Sequence, residues 1–146
     1  MFPFIKKCLP ESSSILLLLL LFPILAGART LAPESIEGVK IVTAEQLIEL
    51  LLNSSEIVLI DTRLEEEFKM GHIEGAINIL DTIINEEDLA IRAEDTNSPI
   101  AFYCNGIRCL RSSNAARKAV DWGYQNIYWF RGGWTEWKEK HYPASW

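Results

Sequence analysis

Two stretches of this chain, "EIVLID" (56–61) and "SPIAFYC" (98–104), are short, largely apolar runs that end at a polar or reactive side chain, Asp61 in one and Cys104 in the other. A continuous apolar run of strand length, with no polar alternation, marks a strand buried on both faces. Such strands need helices above and below them, and the intervening sequence provides helical patterns. "TAEQLIELLLN" opens on Thr43 with Gln46 three residues on, a capping-box spacing, and places Leu47, Ile48 and Leu51 on one face. "TRLEEEFKMGH" repeats that spacing with Thr62 and Glu65 and stops at Gly71. Ser112 to Trp122 turns Ala115, Ala116, Ala119 and Val120 inward and ends at Gly123, and Trp134 to Lys140 reads as a closing helix after a tight "RGG" turn. Shorter strand patterns stand at "VKIV" (39–42), "GAINIL" (75–80) and "NIYWF" (126–130). Strands alternating with helices predict an α/β fold with a mainly parallel sheet covered on both faces.

The N-terminus has a different logic. Lys6 and Lys7 precede an apolar run from Ile15 to Leu25, and Ala26-Gly27-Ala28 follows. A basic, an apolar and a small-residue segment in that order make a secretory signal, with cleavage expected after Ala28. The apolar run is too short for a spanning helix, which needs roughly 20 residues, and Pro23 interrupts it. No stable membrane anchor is therefore expected. The expected organisation is a signal peptide at 1–28, a polar lead-in at 29–38 and one domain at 39–146.

The net charge of −6 becomes one unit more acidic once the signal has gone, which argues against a nucleic-acid partner. Of three cysteines, Cys8 leaves with the signal, so Cys104 and Cys109 remain in a compartment that permits disulfides. Either they pair, or at least one is kept free for reactivity. Two cysteines are too few for a closed zinc site, and no metal or organic cofactor is expected.

In open parallel sheets, ligands collect beyond the carboxyl ends of the strands. Cys104 stands at such an end. The loop after it (Asn105, Gly106, Ile107, Arg108, Cys109, Leu110, Arg111) leads into a helix N-terminus, where unpaired N–H groups favour an anion. Arg108 and Arg111 add positive charge, which favours the thiolate, the nucleophilic form of cysteine. A structural cysteine would instead be followed by more apolar residues.

"LIDTR" (59–63), "GHIEGAINI" (71–79), "FYCNGIRCLRSSNAAR" (102–117) and "GYQNIYWFRGGWTEWKEKHYP" (123–143) stand in the order in which the single-domain rhodaneses carry similar stretches. The chain resembles that sulfurtransferase family over most of residues 40–143. The resemblance implies a rhodanese-like fold with a five-stranded, mainly parallel sheet. It also implies that Cys104 accepts a sulfane sulfur from a small sulfur-containing anion such as thiosulfate and passes it on from a persulfide to a thiophilic acceptor. The loop would be the anion cradle. Many family members show cysteine, four residues, then Arg-Ser. Here Arg111-Ser112 follows Cys104 after six residues; matching Arg108 instead makes the spacing short and puts Cys109 in place of the serine. The longer loop keeps a rhodanese-like phosphatase or arsenate reductase open as an alternative.

Cys109 is close enough to Cys104 for a disulfide if the loop bends, which would make it a resolving thiol and the protein a redox or sulfur-carrier partner. The alternative is an unpaired thiol facing the core. Asp61 and Arg63 are expected to support the site, Asp61 by fixing loops and Arg63 by pairing with a nearby carboxylate. His72 is expected to be a hydrogen-bonded turn histidine, since transfer from a persulfide needs no base once the thiolate exists. Glu65, Glu66 and Glu67 suit the first turn of a helix. The tryptophans fit core packing. The expected compartment is outside the cytoplasm, the periplasm first.

Overall fold

The computed structural model describes residues 31–54 and 56–146; the expected signal peptide lies outside the described residues. The elements run β1 (Val39–Ile41), α1 (Ala44–Asn53), β2 (Val58–Asp61), α2 (Glu65–Lys69), β3 (His72–Ile73), β4 (Ile77–Asn78), α3 (Glu86–Arg92), β5 (Ile100–Tyr103), α4 (Arg111–Asp121), β6 (Ile127–Phe130), α5 (Gly133–Glu139) and β7 (Ala144–Ser145). Five strands form one sheet in the order β1-β6-β5-β2-β4, every pair parallel. This is the α/β architecture the apolar runs predict. β3 and β7 make a separate antiparallel pair.

β5, in the middle of the sheet, shows why the runs carry no polar alternation. Ile100 and Phe102 face one core with Ala115, Ala116 and Ala119 of α4. Ala101 and Tyr103 face a second core with Leu47 of α1 and Trp134 and Trp137 of α5. Alternate side chains point to opposite faces of a strand, and both faces here are covered. The alanines of α4 let that helix lie close to the sheet. Larger fully buried side chains such as Phe102, Trp129 and Phe130 contribute roughly 1.5–3 kcal/mol each through burial. The Trp129 indole donates to Ser112 Oγ at 2.9 Å. Among the described residues, every buried side-chain nitrogen and oxygen has a partner.

The Thr43–Gln46 capping box forms in both directions at α1. The expected box at Thr62 and Glu65 does not. Thr62 is fully buried, and its N–H and hydroxyl both donate to the Tyr103 carbonyl at 2.9 Å, which holds it at the strand end, before the helix begins. The helix starts two residues later, with Leu64 as N-cap and Glu67 accepting from the Leu64 N–H at 3.0 Å. The "GAINIL" strand is only two residues long. α3, capped by Asn85, sits where no strong periodicity pointed to a helix; it contributes Leu89 to the core. The polar lead-in packs more firmly than its composition suggests. Ala32 and Ile36 are buried, and Arg131 donates to the Ala32 and Pro33 carbonyls.

Candidate functional site

Cys104 directly follows β5, the third strand of five, and is 1% exposed. Its carbonyl accepts from the Trp134 N–H at 2.8 Å, and the Asn105 carbonyl accepts from the Thr135 N–H at 3.0 Å. The start of α5 therefore grips the start of the cysteine loop. Gly133 makes the grip possible. Its φ is +59°, and a Cβ there would overlap the Cys104 carbonyl. The "RGG" sequence is thus a close-approach element as well as a turn.

The far side of the loop is held by the lead-in, where the Ala32 N–H donates to the Ile107 carbonyl at 3.2 Å. Arg111 is the first residue of α4, so six residues separate Cys104 from the helix, and Arg108 is an exposed residue of the loop. Of the two possible registers, the helix start selects the longer.

Cys104 and Cys109 are joined as a disulfide, with Cα atoms 6.1 Å apart. This separation is ordinary for such a bond. Cys109 does not face the core as an unpaired thiol. It lines an open cavity of about 880 Å³ whose one wall is the loop from Asn105 to Arg111 and whose other wall is Gly132 with Thr135, Glu136 and Glu139 of α5. Cys104 does not line that cavity.

Glu67 ties the start of the loop to the start of α4. Its carboxylate accepts from Asn105 Nδ2 at 2.7 Å and lies 3.6 Å from Arg111 Nη1. Burial pushes this carboxyl up, but hydrogen bonds from Asn105 and the Leu64 N–H, with the charges of Arg111 and Arg63, outweigh it and hold the group below the ordinary glutamate value. Arg111 is therefore partly neutralised, and the site carries both signs of charge. Glu67, Thr135, Glu136 and Glu139 are not legible as site residues in the sequence. Nothing local distinguishes Glu67 from its neighbours Glu65 and Glu66, and its partner Asn105 is 38 positions away.

The residues expected to support the site are Asp61, Arg63 and His72. Asp61 and Arg63, both almost fully buried, form a bidentate pair with a shortest contact of 2.6 Å. Arg63 also donates to the Gly71 carbonyl at 2.8 Å, and its guanidinium lies 4.8 Å from the centre of the Trp134 ring. Asn78 Nδ2 donates to the carbonyls of Asp61 and Arg63. Burial, with the Asp61 charge close by, pushes the Tyr103 hydroxyl far up, and it stays a neutral acceptor for the Ile73 N–H. His72 stands in β3, stacked on Phe68, with Nδ1 3.0 Å from the Phe68 carbonyl. None of these three residues lines the cavity. Among the described residues no group of His, Cys, Asp and Glu is arranged to hold a metal ion.

Residues 43–140 match the family model described as a rhodanese-like domain. The thiosulfate sulfurtransferase GlpE of Shewanella oneidensis is 31% identical over 102 residues, covering 68% of this chain and 93% of the relative. The BH2092 protein of Bacillus halodurans superposes with a TM-score of 0.63 at 27% identity, covering 73% of this chain and 76% of that one. The polysulfide-sulfur transferase of Wolinella succinogenes, a homodimer in solution, superposes with a TM-score of 0.62 at 24% identity, covering 74% and 79%, and shares the fold.

Proposed function

This chain belongs to the rhodanese-like domain family, and from that premise we propose that it is a sulfurtransferase whose nucleophile is Cys104. The observation that carries the reading is the placing of Cys104. It follows the central parallel strand, its carbonyl is held by α5, and a six-residue loop connects it to the N-terminus of α4. A nucleophile on a rigid strand end beside a helix N-terminus suits reaction with an anionic donor.

In the reduced protein, the Cys104 thiolate attacks the outer sulfur of thiosulfate. A bond forms from Cys104 Sγ to that sulfur, the sulfur–sulfur bond of thiosulfate breaks, and sulfite leaves with the electron pair. The resulting persulfide then gives its outer sulfur to a thiophilic acceptor. Loop and helix N–H groups offset the persulfide charge, and Arg108 and Arg111 attract the donor. Asp61 and Arg63 act by holding the strand end, not by touching substrate.

The test uses Cys109→Ser, so that no second thiol can consume the product. Reduced, desalted protein is given thiosulfate and weighed intact. A gain of one sulfur atom, absent from the Cys104→Ser/Cys109→Ser double variant, is expected; an unchanged mass in Cys109→Ser rules the reading out. The signal pattern of residues 1–28 supports export as part of the proposal. N-terminal sequencing of protein made in an exporting host should begin at Arg29, and a start at Met1 would remove that part.

A further inference from the structure

We propose that this protein discharges its own persulfide, with Cys109 as the resolving thiol, and so releases sulfide from sulfane-sulfur donors. The inference rests on Cys104 accepting sulfur as proposed above, and it adds an activity: reduction of sulfane sulfur in place of its transfer.

The geometry points to it because the two sulfurs are in covalent contact with the loop folded as it stands and both loop edges pinned. A persulfide on Cys104 therefore forms within reach of a second thiol carried by the same loop. Intramolecular attack is favoured over any acceptor in solution by a large effective concentration. The step balances. The Cys109 thiol gives up its proton, its sulfur bonds to Cys104 Sγ, the bond from Cys104 Sγ to the outer sulfur breaks, and that sulfur leaves as hydrosulfide. The sulfane sulfur gains two electrons, and the two thiols lose two electrons in becoming the disulfide. The open cavity beside Cys109 is the exit.

The return step needs a thiol reductant, here named as a dithiol, and exposure decides which sulfur it attacks. In the bonded state Cys109 lines the cavity and Cys104 does not. A dithiol reductant thus meets the Cys109 sulfur first. It forms its mixed disulfide there and expels Cys104 as the thiolate, beside the N-terminus of the eleven-residue helix α4. Its second thiol then frees Cys109 and leaves as a disulfide. The order restores the nucleophile before the resolving thiol. A Cys104 sulfur facing the cavity would give the opposite order.

A single turnover without external thiol tests this. Fully reduced chain, desalted without oxygen, receives one equivalent of thiosulfate, and sulfide, sulfite and intact mass are measured together. Wild type should release one sulfide and one sulfite per chain and lose two hydrogens. Cys109→Ser and Cys109→Ala should release sulfite, keep the sulfur atom and yield at least tenfold less sulfide. The wild-type ratio of sulfide to disulfide is decisive even if both variants misfold. Wild type that keeps the sulfur and releases no sulfide overturns the proposal while leaving Cys104 transfer intact. Loss of two hydrogens without sulfide also overturns it, as simple oxidation. Sulfide from Cys109→Ser at the wild-type rate overturns it too. If neither wild type nor the Cys109 variants take up sulfur, both readings fall.

Discussion

β2 and β5 lie side by side in the sheet, and their carboxyl ends have been put to opposite uses. At the end of β2, Asp61 and Arg63 close into a buried ion pair with every buried polar atom satisfied. Beyond β5, Cys104 opens into a loop that lines a cavity and is held mainly by backbone contacts. Position at a strand end therefore does not by itself make a residue reactive. At β2 the charged groups consume each other, and Trp134 covers Arg63. At β5 the neighbours hold the backbone and leave the sulfur a partner in the same loop. The first end braces the second, because Trp134 covers Arg63 with its ring and holds the Cys104 carbonyl with its N–H.

The comparison breaks if damage at β2 is chemical or damage at β5 is structural. The largest expected effect is on chemistry. Cys104→Ser should abolish sulfur uptake while leaving the unfolding free energy of the reduced protein within about 1 kcal/mol of the reduced wild type, by denaturant titration. Next is Arg63→Met, which strands the Asp61 carboxylate in the core and should cost about 3–5 kcal/mol of stability. If it unfolds at the wild-type denaturant concentration but loses activity, the bracing role is wrong. Gly133→Ala tests the link between the two ends. Its positive φ and the overlap with the Cys104 carbonyl should cost roughly 1–3 kcal/mol and slow persulfide formation together. Loss of stability alone would show that the grip of α5 does not position the sulfur.

The smallest effect concerns Glu67. Glu67→Gln keeps the shape but frees Arg111 from a negative charge, so KM for thiosulfate should fall by about threefold, the scale of a partly exposed ion pair. The Glu67 carboxyl is held below its ordinary value, so its contribution to stability is complete above that value and is lost as pH falls through the lowered one. Solvent screening keeps that contribution below about 1 kcal/mol. Wild type should accordingly lose slightly more stability than Glu67→Gln between pH 7 and pH 3. An equal loss in both proteins would remove Glu67 from the account.

Elements whose signals are local were legible in the sequence. The double-sided apolar runs forecast the parallel sheet, and the Thr43–Gln46 spacing forecast a capping box, because each depends on residues a few positions apart. The second box failed because Tyr103, on another strand, holds the Thr62 backbone in the sheet and delays the helix to Glu65. The lead-in looked merely polar because its two buried apolar residues, Ala32 and Ile36, carry no periodicity of their own.

By itself the sequence determined an α/β chain with a thiol at a strand end, a second thiol five positions on, one arginine between them and another two residues past the second. Only the tertiary structure decided that the helix begins at Arg111, that the two thiols bond, that Cys109 and not Cys104 faces the cavity, and that Glu67 and α5 form the rest of the site. The physical reason is the range of the forces. Hydrophobic periodicity and capping act within a turn or two of chain, whereas the site is closed by contacts such as Glu67 with Asn105 and Trp134 with Cys104, which exist only after the sheet has brought separate strand ends together.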